Sequence, residues 1–274
     1  MISAAIEITR PANCLISAMS VALAAWIAGP EGMWLPVSFA VLSATLLTGA
    51  ANVINDWFDI EIDRINRPDR VLPSNRMTPR AALILSIILF VCGVFFSIFI
   101  NNLAVIIAGL SVLLLILYSA KFKRMVWWGN VVVSLMTAVA FIYGALAAGN
   151  WKDGIIPAIF AFLFHFGREI LKDMEDVAGD AAMSAVTLPI RYGYKAALLA
   201  ATLIYSVLII STLIPYAARM YGRLYLVTVI IGVDLVLIAI LVYLWRRQEQ
   251  ANLACLNRIL KVDMIVGLIA IYLG

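Results

Sequence analysis

Nine long apolar runs constrain this chain more than anything else in it. They cover residues 12–28, 36–55, 81–100, 103–118, 131–148, 155–171, 196–216, 224–245 and 259–273. Each is close to the roughly 17–25 residues that cross a bilayer as a helix. The runs are continuous rather than striped, and only 13% of residues are charged, against about 25% in a soluble domain. The expected fold is therefore all-α and polytopic, with nine transmembrane helices in a single domain spanning 1–274. The first run resembles a secretory signal, but Glu7 precedes it and Arg10 is the sole basic residue ahead of it. A first membrane helix is the better reading. Cys14, Cys92 and Cys255 are odd in number and scattered, which implies neither a disulfide framework nor a cysteine metal site. No basic block reads as a nucleic-acid site, and no obligate protein partner is implied.

Basic residues orient the runs. With the N-terminus in the cytoplasm and nine alternating spans, seventeen of the twenty Lys and Arg residues fall on the cytoplasmic side, leaving Lys152, Arg219 and Arg223 on the other. That asymmetry is the positive-inside pattern of a multi-pass protein of the cell membrane. All seven tryptophans, Trp26 and Trp245 among them, fall near expected span ends, where an aromatic belt places them.

Against this apolar background, residues 52–63 read N-V-I-N-D-W-F-D-I-E-I-D and residues 169–180 read E-I-L-K-D-M-E-D-V-A-G-D. Asn52, Asp56, Asp59 and Asp63 have the same spacing as Glu169, Asp173, Asp176 and Asp180. On a helix that spacing keeps four side chains within an arc of about 60°. The two stretches hold more than half of the sixteen acidic residues. Both extend the cytoplasmic ends of spans, the second and the sixth. Both lead into polar loops with a shared Leu-Pro, at Leu72-Pro73 and Leu188-Pro189. The pattern suggests two parallel four-helix pseudo-repeats plus one helix, with the acidic faces opposed across a pseudo-two-fold axis.

Clustered carboxylates repel and call for cations. Hard divalent ions suit them, since Mg²⁺ uses one or two protein carboxylates and takes its other ligands from water and phosphate. No Cys/His cluster offers a zinc alternative. Arg64, Arg67, Lys121, Lys123, Arg124 and Lys172 crowd the same side. Carboxylates ringed by Lys and Arg suit a metal-bridged diphosphate whose departure the positive charges assist. Topology alone also accounts for a basic residue at any of these places. His165, the one histidine, reads as a packing residue. Asp234 lies in the middle of the eighth run, where a carboxylate is either functional or paired in the interior. Asn13 reads as a cap or a substrate contact.

N-D-W-F-D-I-E-I-D at residues 55–63 and D-V-A-G-D at 176–180 resemble the two motifs of the UbiA superfamily of intramembrane prenyltransferases. The resemblance covers essentially the whole chain. It implies a bundle around a central cavity and ionisation of an isoprenyl diphosphate with two Mg²⁺ ions. An acceptor then attacks the allylic carbocation. It implies that Asp56, Asp59, Asp63, Asp176 and Asp180 hold metal and diphosphate, with Asp173 as a further catalytic acid. It implies Asn52, Asn55, Tyr118 and Lys121 or Lys123 as substrate-binding residues; Asn13, Arg64, Arg67 and Lys172 join them as polar or basic groups on the same side. The family's Tyr and Lys stand four apart, whereas Tyr118 is followed by Lys121 and Lys123. Either lysine can be the phosphate ligand on this reading. E-I-T-R-P-A-N-C-L at 7–15, N-R-P-D-R-V-L-P-S at 66–74 and L-K-D-M-E-D-V-A-G-D at 171–180 look most like members that join geranylgeranyl diphosphate to geranylgeranylglyceryl phosphate in ether-lipid synthesis.

Other functions fit less well. An aromatic acceptor of the quinone or haem pathways is the first alternative to a lipid-phosphate acceptor. The D-G-x-x-A-R run of CDP-alcohol phosphotransferases is absent, since Ile60 follows Asp59. A cation-coupled transporter would place its carboxylates near the bilayer midplane rather than at one edge.

Overall fold

A computed structural model describes residues 2–182, 185–247 and 252–274. Among the described residues all regular structure is helical. The chain forms two compact units, Met1–Lys123 with Val139–Ala158, and Arg124–Ala138 with Ile159–Gly274.

The first unit opens with α1 (Ile2–Ile8) and α2 (Pro11–Ile27), bent by 54° at their junction. Proline explains the bend. Pro11 lacks an N–H and its ring drives the preceding residue out of the right-handed helical region, and Arg10 takes φ 53°, ψ 74°. Then come α3 (Trp34–Phe58), α4 (Ile60–Asn66), α5 (Pro79–Ser97) and α6 (Asn102–Ala120). The Thr78 hydroxyl caps α5 by accepting from the Ala81 N–H at 3.2 Å, ahead of Pro79. Asn101 caps α6 through the Ala104 N–H at 2.9 Å. The last part of α7 (Trp128–Ala147) completes this unit with the start of α8 (Ile155–Glu175).

Small residues set the helix spacing. Val21, Ala25, Ala40, Ala104, Tyr143 and Ala147 form one core cluster. The Ser43 hydroxyl donates to the Gly93 carbonyl at 2.7 Å and lies 2.9 Å from the Tyr143 hydroxyl. A Cβ on Gly144 would sit 2.1 Å from the Val21 carbonyl oxygen. Such contact is how helices associate where lipid removes the hydrophobic driving force.

The second unit takes the first part of α7, the rest of α8, then α9 (Val177–Ala182), α10 (Leu188–Tyr192), α11 (Tyr194–Ala217) and α12 (Arg223–Val229). A π-helical turn, Ile230–Asp234, joins α12 to α13 (Leu235–Arg247), and α14 (Leu253–Tyr272) follows. Gly167 of α8 lies under the fully buried Tyr205 of α11, whose ring stands 2.5 Å from where a Cβ would be.

Among the described residues seven helices are long and apolar enough to cross a membrane, or eight when α1 and α2 count as one bent span. That is fewer than the nine runs suggest. The run at 259–273 lies in α14, which carries Arg258, Lys261 and Asp263 within its twenty residues and stands outside that set. Exposed Ile106, Leu110 and Leu113 of α6 share one helix face, as expected of a surface in contact with acyl chains.

Gly144→Ala is expected to force α2 and α7 apart, lowering stability by about 1–3 kcal/mol. Gly109 has open space around its Cβ position, so Gly109→Ala should leave the melting temperature of the detergent-solubilised protein unchanged. Equal effects from the two would contradict the close approach.

Candidate functional site

The first acidic stretch is helical except at one residue. Asp59 separates α3 from α4 with φ −97°, ψ 6°, in the sparsely allowed bridge region that active-site residues often occupy. The hydrogen-bond ladder persists on both sides, from the Asp59 N–H to the Asn55 carbonyl at 3.1 Å and from the Asp63 N–H to the Asp59 carbonyl at 2.8 Å. Asp56, Asp59 and Asp63 are 6%, 2% and 4% exposed. Ionised carboxylates so deeply buried need partners.

Each has one. Arg10 pairs with Asp56, and Lys123 pairs with Asp59. Arg70 spans two carboxylates, donating to Asp63 Oδ2 at 2.5 Å and to Asp56 Oδ1 at 3.3 Å. The bend before Pro11 brings Arg10 there. Arg70 is held by its neighbours: Val71 and Leu72 are each 3% exposed and enter an apolar cluster with Ala4, Ile8, Val53 and Ala82. The loop is closed by the Ser74 N–H on the Arg70 carbonyl at 3.0 Å and the Arg76 N–H on the Val71 carbonyl at 3.1 Å. Arg76 ties it to α1 through Glu7 at 2.5 and 2.7 Å, and that hydrogen bond raises the guanidinium pKa. Asn52 donates to the Thr9 carbonyl at 2.9 Å, and Asn13 reaches Asn52 at 3.5 Å. Asn55 Oδ1 is buried without a hydrogen-bond partner among the described residues.

The second stretch repeats the break. Asp176 stands between α8 and α9, with its N–H on the Lys172 carbonyl at 3.0 Å and the Asp180 N–H on its own carbonyl at 2.9 Å. Buried Glu169 accepts from Arg168 at 3.2 Å and Lys172 at 3.3 Å. Asp173 accepts from the Asn130 amide at 2.9 Å. The Asn257 amide donates to Glu175 at 2.5 Å, fixing the last turn of α8. Asp173, Asp176 and Asp180 are half-buried.

The structure treats the other expected residues unequally. Lys123, not the exposed Lys121, meets the acidic face. Arg64 pairs locally with exposed Glu61 at 3.0 Å, and Arg67 is exposed. Lys172 serves Glu169. Tyr118 is half-buried near the end of α6. His165 packs its ring 6.1 Å from Phe164, in keeping with a packing role. Arg10, Arg70, Asn130 and Asn257 are site neighbours that residue type did not single out. For Arg70 the legible signal was an apolar Val-Leu pair inside an otherwise polar loop.

Among the described residues no three Asp, Glu, His or Cys side chains converge to hold a metal by themselves. The donors fit Mg²⁺ nonetheless. They are hard oxygens, the orphaned Asn55 Oδ1 lies beside them, and Mg²⁺ completes its shell from water and phosphate.

These features define a multi-pass helical membrane protein with two acidic helix breaks, one of them ringed by cations. The model of the UbiA prenyltransferase family matches residues 15–262. The chain belongs to that family and is a prenyltransferase. It is 36% identical over 265 residues to a digeranylgeranylglyceryl phosphate synthase of Methanopyrus kandleri, covering 97% of this chain and 96% of the relative. The protein of that name from Methanothermobacter thermautotrophicus is 36% identical over 276 residues, covering 98% and 95%. A solved structure of a digeranylgeranylglyceryl phosphate synthase superposes with a TM-score of 0.84 at 32% identity, over 100% of this chain and 98% of that one. A UbiA homologue from Archaeoglobus fulgidus, solved with GPP and Mg²⁺, shares the fold at a TM-score of 0.71 and 17% identity, over 98% and 99%.

Arg70→Ala leaves Asp63 buried and unpaired, and should cost about 3–5 kcal/mol. Arg64→Ala removes an exposed pair and should cost under about 1 kcal/mol. Thermal unfolding of both variants checks the contrast, and a silent Arg70→Ala would refute the pairing.

Proposed function

We propose that the protein transfers a geranylgeranyl group from geranylgeranyl diphosphate to the hydroxyl of geranylgeranylglyceryl phosphate. The observation that carries this reading is the 36% identity, over nearly the full length of both chains, to synthases named for that product. The likeness covers 97% and 98% of this chain, which supports the whole of 1–274 acting as one catalytic domain. It crosses the cell membrane nine times, with α14 as the ninth span and the acidic breaks in the cytoplasm. The seventeen-to-three distribution of basic residues supports that orientation. The matched hydrogen bonding around Asp59 and Asp176 supports an internal repeat.

In this reading Asp56, Asp59, Asp63, Asp176 and Asp180 hold two Mg²⁺ ions and the diphosphate, assisted by Asn52 and Asn55, with Asp173 as a further catalytic residue. When bound, the metal supplies charge neutralisation on the leaving diphosphate. Arg10, Arg70 and Lys123, which pair with the carboxylates in the structure, are at hand for phosphate oxygens that arrive with it. Asn13, Arg64, Arg67, Tyr118, Lys121 and Lys172 bind substrate around this core, the lysines and arginines suiting a phosphorylated acceptor. The C1–O bond of the allylic diphosphate breaks and diphosphate departs. The acceptor hydroxyl adds to the allylic carbocation to make an ether, and its proton is released.

Purified protein is expected to form the digeranylgeranyl ether from these two substrates with Mg²⁺. Asp59→Asn and Asp176→Asn should each lower turnover by about a hundred- to a thousandfold while the protein still folds and inserts. Product with an aromatic acid alone would replace the lipid acceptor by an aromatic one. Full turnover in excess chelator would remove the metal from the reaction.

A further inference from the structure

Asp234 and Asp263 lie inside the second unit and the transfer reaction does not use them. Each is 3% exposed, and neither is in an ion pair among the described residues. Asp234 ends the π-helical turn and takes its hydrogen bonds from the Thr212 hydroxyl, at 3.3 and 3.1 Å. Thr212 is fixed in turn by the Tyr225 hydroxyl, which donates to its carbonyl at 2.7 Å. Among the described residues both carboxylate oxygens of Asp263 are buried without a hydrogen-bond partner. So is the hydroxyl of Tyr205, which is 0% exposed.

The two carboxylates belong to one neighbourhood. A Cβ on Gly232 would lie 2.4 Å from the Val266 side chain, and one on Gly267 would lie 3.9 Å from Val233, so the π turn and α14 are in close contact within a helical turn of both carboxylates. Asp263 feels the charge of Asp234, and Tyr205 feels that of Asp263. Arg168 and Glu169 on α8 also act on Tyr205, and those two pair with each other at 3.2 Å. Tyr225 of α12 feels the charge of Asp234 as well.

Two carboxylates in an apolar interior demand compensation, and orphaned buried oxygens demand an occupant. Protonation answers the first demand but leaves Asp263 with both oxygens unsatisfied. A metal cation, bound with one of the two carboxyl groups protonated, answers both. Mg²⁺ is a poor fit, because it keeps several waters and both carboxylates are buried. A π turn in the middle of a helix is a frequent mark of a functional site.

We propose that Asp234 and Asp263 form a binding site for an alkali cation of Na⁺ chemistry within the second unit. It is separate from the carboxylates that serve the diphosphate, and it stabilises the fold around α11, α12 and α14. The test is thermal unfolding of the full-length protein in detergent with EDTA, titrating NaCl against choline chloride at constant ionic strength. NaCl should raise the melting temperature by about 3 °C or more in a saturating manner. Asp263→Asn and Asp234→Asn should lose that increment, and Asp59→Asn should keep it. Identical curves in the two salts would overturn the site, as would an increment that survives Asp263→Asn. Where the Asp variants do not fold, Thr212→Val removes only the hydroxyl that orients Asp234. It should raise the half-saturating NaCl concentration by about tenfold, and an unchanged value would overturn the site.

Discussion

A carboxylate at the end of a membrane helix cannot be left alone, and much of the first unit is arranged around that fact. Asp56, Asp59 and Asp63 are nearly as buried as core leucines, yet each meets a guanidinium or an ammonium. The three cations come from separate places in the chain: the bend before α2, the loop after α4, and the segment following α6. Pairing therefore ties the acidic face to most of its unit. It also leaves the carboxylates beside groups that can hold phosphate as readily as carboxylate, which suits a site that handles a metal-bridged polyanion.

The apolar residues do the positioning. Arg70 is aimed by Val71 and Leu72, which are buried under α1 and α5 together with Ala4 and Ala82. Arg10 is aimed by Pro11 through the backbone of a single residue. In both cases the charged group holds its place because a hydrophobic or steric constraint next to it has little freedom, which is how preorganised electrostatics are built.

Much of this was legible in the sequence. Long apolar runs revealed a helical membrane protein, and the matched spacing of Asp56, Asp59 and Asp63 with Asp173, Asp176 and Asp180 marked the acidic segments. The bent first span and the charges on α14 were blurred, because a run-length criterion sees neither backbone direction nor burial of single side chains. The choice of Lys123 over Lys121 depends on the non-helical φ and ψ that Lys121 adopts at the end of α6, which residue type does not disclose. Arg10 and Arg70 looked like topology markers since positive-inside residues and ligand-facing residues share one composition. Asn130 and Asn257 act across tertiary contacts that no local pattern records.

The one-residue break at Asp59 also has a mechanical meaning. Asp56 rides on the long α3, anchored by its packing along the unit, while Asp63 rides on the seven-residue α4. A single non-helical residue joins them, so a small rotation at Asp59 alters the gap between two carboxylates without disturbing the span behind it. The helix is thus a rigid post carrying a short jointed arm, and the joint is itself one of the acids.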